Sequence, residues 1–360
     1  MIIVKLSKSF KKNPGPFWRR KKFWFSALIL LILAVLSVAA ATAVRFGKRM
    51  YPEKNLTQVA GDFGQLIISG DRAMEEESAG RDINVLLMGV GGEGSFGGIT
   101  PDTIIILSVR PDGKNQPPKV SLLSIPRDLA TSIFGQTVLH KINDAYKLAE
   151  FQKSGSGPQA ELAAVEEWTG LKIPYYAVID TNGFLEAVDL VGGVDVTVDR
   201  AFYDLYYPDG AGGYLAGVKF EEGQQHLDGE RALQYVRSRH GNNGEASDFA
   251  RSRRQDKVVL ALRDKIKALS PVSDLSTVSK LLEVLANRLK TNLEPWQIKR
   301  VYNLAAEAPA EGVARKFLDP KTGLVCSQIS LETGWYLLVS CEGKSKQDVY
   351  DWAAKRFNQN

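Results

Sequence analysis

The longest unbroken apolar run in the chain is "FWFSALILLILAVLSVAAATAV", Phe23 to Val44, 22 residues without a charged side chain. A helix of that length spans the roughly 30 Å hydrocarbon layer of a bilayer. The pattern therefore predicts a transmembrane helix over 23–44. The rival is a cleaved signal peptide, since "AAATA" places small residues at the exit, but the run exceeds the roughly 7–15 apolar residues of a signal core. Residues 45–80 read as a stalk, with charged ends, scattered glycine and a weakly amphipathic "LTQVAGDFGQLIISG".

From Asp82 the periodicity changes. "INVLLMGV", "TIIILSV" and "KVSLLSI" are short apolar runs bounded by Gly, Pro or Asp, the pattern of buried strands. "KINDAYKLAEF", opened by Lys141, and "PQAELAAVEEWTG" are amphipathic helices; "YYAVID" is a strand, "TNGFLEAVDLVGG" a helix closed by Gly192-Gly193, and "VDVTV" a strand again. Past the cap candidate Asp228, "GERALQYVRSR" predicts a short helix, and Asp248 caps a long one that ends near Leu269. "STVSKLLEVLANRLK", "EPWQIKRVYNLAAEA" and a last helix near Gln347 to Phe357 extend the same layered core. The expected architecture is a mixed α/β domain over 81–360, a central mixed β-sheet flanked by helices, preceded by one N-terminal transmembrane helix and a basic tail over 1–22. A separate C-terminal domain is the rival. No internal repeat or long low-complexity linker appears.

Charge sharpens the topology. Net charge is +5, but Lys5, Lys8, Lys11, Lys12, Arg19, Arg20, Lys21 and Lys22 all precede the apolar run, so the rest of the chain is slightly acidic. Only Arg45, Lys48, Arg49 and Lys54 follow closely, and the positive-inside bias puts the N-terminus in the cytoplasm and the main domain outside a cell membrane that it crosses once. With no basic face on the folded domain, nucleic acid is excluded as the partner. Cys326 and Cys341 are the only cysteines and lie in a hairpin, "GLVCSQISLETGWYLLVSC". With Glu332-Thr333 as the turn, Cys326 falls opposite Val339 and Cys341 diagonally from it. A disulfide and a pair of buried thiols both fit that register.

Three constellations carry candidate chemistry. Gly89, Gly91 and Gly94 match G-x-G-x-x-G, but only "SFGGITPD" separates them from the next strand, so the helix of a dinucleotide fold has no room. Asp102, at the start of that strand, is a carboxylate placed to reach a cation such as Mg²⁺. In "LLSIPRD", Pro126 stops the ladder and leaves Arg127 and Asp128 just past a buried strand end. The third is "YVRSRHGNNGEASDFARSRRQ", with five arginines in 21 positions. Arg237 and Arg239 sit at one helix end, while Arg251 and Gln255, four apart, share a face of the next helix. Arg253 and Arg254 fit a solvated or packing face. Converging guanidinium groups imply a polyanion, because the planar fork gives paired, charge-assisted hydrogen bonds to phosphate.

"INVLLMGV", "PDTIIILSV", "VSLLSIPRD", "KINDAY", "LVGGVDV", "GERALQYVRSR" and "SDFARSRRQ" occur in the order seen in the LytR-CpsA-Psr family, and the chain resembles that family from about Asp82 to Leu269. The resemblance implies a membrane-anchored phosphotransferase that moves a glycopolymer from a polyprenyl-pyrophosphate carrier to a sugar hydroxyl of peptidoglycan. It assigns Asp102 to Mg²⁺, with Mn²⁺ as the alternative ion, and Arg127, Lys141, Arg237, Arg239, Arg251 and Gln255 to the pyrophosphate. Asp102, Arg127, Arg239 and Arg251 would be the catalytic set, with Asp128 and Asp248 supporting it. The family's Gly-Val-Asp-x-Arg after the first strand is replaced here by "GVGGEG", with Gly91 at the aspartate position and Glu93 as the nearest substitute metal ligand; "TPDT" also lacks the usual arginine. That departure raises one rival, a module that binds the lipid-linked glycan without transferring it, and the same pocket with water as nucleophile gives another, a prenyl-pyrophosphate pyrophosphatase.

Overall fold

Strands that read as continuous apolar runs must be covered on both faces, and the structure shows what covers them. The computed structural model describes residues 72–92, 98–111, 116–135, 137–208, 213–215, 217–270 and 273–358. The expected transmembrane helix, the tail and most of the stalk lie outside these residues, as does Glu93.

After a single helical turn, α1 (Glu75–Ser78), come β1 (Ile83–Val90), β2 (Pro101–Arg110) and β3 (Lys119–Ser124). The pair β4 (Ala130–Ser132) and β5 (Leu139–Lys141) leads into α2 (Asp144–Gln152), α3 (Gly157–Thr169), β6 (Tyr175–Asp180), α4 (Thr181–Leu190) and β7 (Val194–Val198). Then follow β8 (Phe202–Asp204), β9 (Val218–Phe220), β10 (Gly223–Leu227), α5 (Gly229–Arg237) and α6 (Asp248–Ala268). The last third holds α7 (Leu275–Arg288), β11 (Leu289–Thr291), α8 (Pro295–Glu307), β12 (Ala314–Phe317), β13 (Val325–Ile329), β14 (Tyr336–Ser340) and α9 (Lys346–Ala354).

The central sheet has six strands in the order β11-β6-β1-β2-β3-β12. β1 runs parallel to β6 and antiparallel to β2, and β12 runs parallel to β3, so the sheet is mixed, as expected. Alternation sorts its side chains. Leu86, Met88, Ile104, Ile106 and Leu123 face one side, where Tyr146, Leu162, Val165 and Trp168 of α2 and α3 meet them. Val85, Ile105, Val109 and Leu122 face the other, against Val301, Leu304 and Ala305 of α8 and flanking residues of α6. A third cluster gathers β7 to β10 under α5, with Phe202, Phe220 and Tyr235 at its centre. Both edges of the sheet, β11 and β12, come from the last quarter of the chain.

Three local expectations are corrected. Lys141 does not open a helix: it closes β5 by pairing with Ala130, and α2 begins at Asp144. Asp248 is not the cap of α6; Ser247 is, its Oγ accepting from Ala250 N at 3.0 Å, which leaves the Asp248 carboxylate free to meet arginines. Of the short strands the sequence pattern predicts only β7 and the hairpin pair β13 and β14; the other seven of five residues or fewer among the described residues, β4, β5 and β8 to β12, are not predicted. The hairpin has the expected register, Cys326 opposite Val339, and the two cysteines form a disulfide with Cα atoms 4.9 Å apart.

Candidate active site

Four chain segments deliver the site. β3 ends at Ser124, and the chain turns at Pro126 to present Arg127 beside Asp102 at the start of β2. α5 ends at Arg237, and α6 begins at Asp248, so Arg237 and Arg239 arrive from one helix end while Arg251 and Gln255 arrive from the first turns of the next. One Arg127 Nη1 donates to Asp102 Oδ1. Arg239 Nε lies 2.9 Å and Arg251 Nη1 3.0 Å from Asp248 Oδ1, and Arg127 Nε lies 3.9 Å from its other oxygen. Arg251 Nη2 donates to the Asp102 carbonyl at 3.1 Å. Lys141 binds Asp128, the neighbour of Arg127. Gln255 turns its amide to the Val236 carbonyl at 3.3 Å.

The network is buried and its donors are not all spent. Arg251 is 5% exposed, and burial depresses its pKa to about 10, which still leaves it charged at neutral pH. Burial also opposes the charge on Arg127, but Asp102, Asp248 and Asp128 outweigh it and hold its pKa above the ordinary value. Asp248 feels the reverse: burial would raise its pKa, and Arg251, Arg239 and Arg127 together lower it. The network thus favours the charged forms of Arg127 and Asp248, while Arg251 keeps its charge despite burial. Nε of Arg127 and Nε of Arg251 nevertheless have no hydrogen-bond partner. A buried cationic N–H without an acceptor is costly, so the arrangement is held by the rest of the network. Arg237 makes no ion pair or hydrogen bond among the described residues and lines the cavity wall.

Two residues outside the expected set hold the arginines in place. Asp204, 1% exposed, accepts from Ser238 Oγ at 2.5 Å and from the backbone N–H groups of Arg239 and His240 at 3.0 and 3.1 Å. It pins the turn that separates Arg237 from Arg239. Arg254 is 2% exposed rather than solvated: its Nε donates to the Tyr235 carbonyl at 2.8 Å, and its other nitrogens reach the Ser238 carbonyl and the Glu245 carboxylate. It packs over the Phe202 ring at 4.9 Å. The sequence left Arg254 on a solvated or packing face; the structure shows packing, on backbone that arginine spacing does not identify. Asp204 gives little local signal: Tyr206 N binds its Oδ1 from two positions on, but the partners that pin the turn lie 34 to 36 positions away.

The arginines stand where two cavities meet. The larger, about 740 Å³, runs between the sheet and α4, α5 and α6 and is walled by Leu87, Ile105, Phe184, Leu233, Val236 and Leu262, with Arg127, Arg237, Arg239, Arg251 and Gln255 around one part of it. Its size lies within the roughly 300–1,000 Å³ of small-molecule sites. The smaller, about 410 Å³, is bounded by Arg127, Asp128, Lys141, Arg239, Asp248 and Tyr336. One cavity suits an apolar chain and the other a polar group, with fixed positive charge between them. A dinucleotide site is excluded by topology, since β1 and β2 pair antiparallel whereas that motif needs a parallel crossover.

Every expected site residue except Glu93, which lies outside the described residues, belongs to this junction. The donor set meets Mg²⁺ in one mode only. No group of three acidic, histidine or cysteine side chains converges among the described residues. Asp102 is the carboxylate with a free oxygen, Oδ1 being taken by Arg127 while the side chain stays 37% exposed. Mg²⁺ commonly takes one or two carboxylates and draws its remaining ligands from water and substrate phosphates, and Asp102 fits that mode.

The sequence model of the LytR_cpsA_psr family matches residues 51–318. The polyisoprenyl-teichoic acid–peptidoglycan teichoic acid transferase TagU of Halalkalibacterium halodurans is 29% identical over 286 residues, 77% of this chain and 85% of that protein. The TagU of Oceanobacillus iheyensis is 33% identical over 213 residues, 59% of each chain. The crystal structure of Bacillus subtilis TagV superposes with a TM-score of 0.56 at 23% identity, covering 78% of this chain and 99% of that one. A structure of TagT bound to LIIa-WTA superposes at 0.53 with 21% identity, covering 80% and 95%. These two structures share the fold.

Proposed function

The chain belongs to the LytR_cpsA_psr family, and from that premise we propose that it moves a glycopolymer from a polyprenyl-pyrophosphate carrier to a sugar hydroxyl of peptidoglycan. The observation that carries the proposal is the gathering of four guanidinium groups, on Arg127, Arg237, Arg239 and Arg251, where an apolar cavity meets a polar pocket. A polyprenyl pyrophosphate has that polarity on the donor side: an apolar tail that ends in two phosphates at the arginines. The relatives named as teichoic acid transferases are consistent with it.

The tail occupies the 740 Å³ cavity. The pyrophosphate lies among Arg127, Arg237, Arg239 and Arg251, with Lys141 and Gln255 at the margins. The acceptor hydroxyl oxygen bonds to the glycan-bearing phosphorus, and the phosphorus–oxygen bond to the bridging oxygen breaks. The bridging oxygen keeps the electron pair and departs as polyprenyl phosphate, and the hydroxyl proton is released to solvent. Phosphoryl transfer needs positioning and charge neutralisation above all. Asp248 fixes Arg239 and Arg251 in advance, and Asp128 fixes Lys141. Mg²⁺, or Mn²⁺, held by Asp102 and the substrate's phosphate oxygens, would supply further neutralisation of charge. We also propose that Phe23–Val44 anchors the chain in the cell membrane with residues 81–360 outside; protease added to intact cells should then degrade the domain, and full protection would reverse the topology.

The test is an assay of the full chain in detergent with a lipid-pyrophosphate oligosaccharide, peptidoglycan fragments and Mg²⁺. A covalent phosphodiester adduct is expected by mass spectrometry. Lipid binding without adduct would leave a binding module, and free phosphorylated glycan without adduct a pyrophosphatase. Arg127→Ala and Arg239→Ala should each lower turnover on the order of 10²-fold or more, and Asp102→Asn should blunt the response to added Mg²⁺. Full activity in both arginine variants would remove the pyrophosphate assignment.

A further inference from the structure

The site has two cavities, and the lipid accounts for one. We propose that the smaller pocket receives the acceptor saccharide and that Tyr336, on the C-terminal hairpin, is its stacking platform. The proposal rests on the transferase reading and adds the place and the contact for the second substrate.

Geometry of displacement comes first. In an in-line transfer the attacking oxygen approaches opposite the leaving one. The leaving oxygen belongs to the lipid phosphate and points toward the apolar cavity. The attacking hydroxyl must therefore come from across the arginines, where the 410 Å³ pocket lies and shares Arg127 and Arg239 with the larger cavity.

Chemistry of the wall comes second. Tyr336 is 40% exposed, and its hydroxyl meets Ser327 Oγ at 2.9 Å across the hairpin, so the ring is held while one face stays open. Beside it, Trp335 is 41% exposed and lies 5.6 Å from the His140 ring, tilted by 57°. An aromatic face carries negative charge density and accepts the positively polarised C–H face of a sugar ring. Lys141 and Arg239, on the same pocket, offer donors to sugar hydroxyls. An apolar face beside charged donors matches a saccharide.

The platform is also rigid with respect to the reacting centre. Leu338 N donates to the Asp128 carbonyl at 2.8 Å, and Leu338 bridges Leu129 in parallel, so β14 is bonded to the segment that begins with Arg127. The Cys326–Cys341 disulfide closes the base of the hairpin. Tyr336 and Leu338 lie past residue 318, where the family match ends, so one side of this pocket is set by residues outside the matched region.

Two measurements on the full chain separate this proposal from the function it rests on. In the first, a soluble peptidoglycan disaccharide is titrated without any lipid donor and followed by saturation-transfer NMR. The wild type should bind, Tyr336→Ala should weaken binding about tenfold, a loss of the size of one good contact, and Tyr336→Phe should keep it. In the second, steady-state transfer with Tyr336→Ala should show a raised KM for acceptor, with donor KM and kcat close to wild type. No disaccharide binding by the wild type, equal binding by Tyr336→Ala, or a raised donor KM in place of acceptor KM each overturns the subsite. Disaccharide binding that depends on Tyr336 in a protein that forms no adduct would support the subsite and refute the transferase.

Discussion

Asp256 shows how much a single buried group can set the conditions under which the site holds together. It follows Gln255 on α6, is fully buried, and accepts from Ser124 Oγ at 3.1 Å, while Oδ2 has no partner. Burial pushes its pKa up to about 8, with the Ser124 hydrogen bond and the charge of Arg315 opposing the shift. An unfolded aspartate titrates near 4, so the folded state keeps a proton that the unfolded chain gives up. The stability from this group is complete below about pH 4 and falls as pH rises, until the folded state also ionises near pH 8. Asp256→Asn should remove that slope, worth up to roughly 1.4 kcal/mol per pH unit, and gain on the wild type as pH rises through the window. Parallel denaturation midpoints for the two proteins from acid to pH 8 would mean that the carboxyl is not held neutral.

Among elements, the turn between α5 and α6 sets where Arg237 and Arg239 stand. Arg254 holds it from below through Tyr235, Ser238 and Glu245. Arg254→Lys keeps the charge and loses the planar fork, so it should cost roughly 1.5–3 kcal/mol and weaken lipid-pyrophosphate binding by letting Arg237 and Arg239 wander. Chemical denaturation and donor titration measure the two effects, and an unchanged donor affinity would show that Asp204 alone suffices to hold the turn. The sequence made the long elements legible because their signals are local: continuous apolar runs for β1 to β3, amphipathic spacing for α2 and α3, and the Asp228 cap for α5. It also singled out Arg127, Arg239 and Arg251, since a strand end and two helix ends are where ligand groups gather. What stayed hidden depends on distant pairing. β11 and β12 are three and four residues long and exist because β6 and β3 offer open edges. Asp204 and Arg254 act on backbone that no nearby spacing reveals, and Tyr336 reaches the pocket only because β14 docks beside Asp128.

For the whole molecule, the cavity between sheet and helices should measure the lipid. Ala187 on α4 lines it, and Ala187→Phe should fill part of it. The expected result is a marked loss of affinity for long-chain prenyl pyrophosphates with little change for a short-chain analogue, because the arginines are untouched. Equal losses for both chain lengths would place the tail elsewhere.

The position of β12 has a consequence for how the protein is made. β3 carries the chain to Arg127, yet its outer edge pairs with residues near Phe317, such as Ser124 with Phe317. At roughly 5–20 residues per second, synthesis takes about 10–40 s to travel from one to the other. Through that interval the segment that leads into the reaction centre is a bare strand edge, ready to pair with any passing strand. A nascent chain cut short before Ala314 is therefore an aggregation hazard, not a smaller enzyme, and the interval before its release is the period in which it most needs a partner to shield that edge.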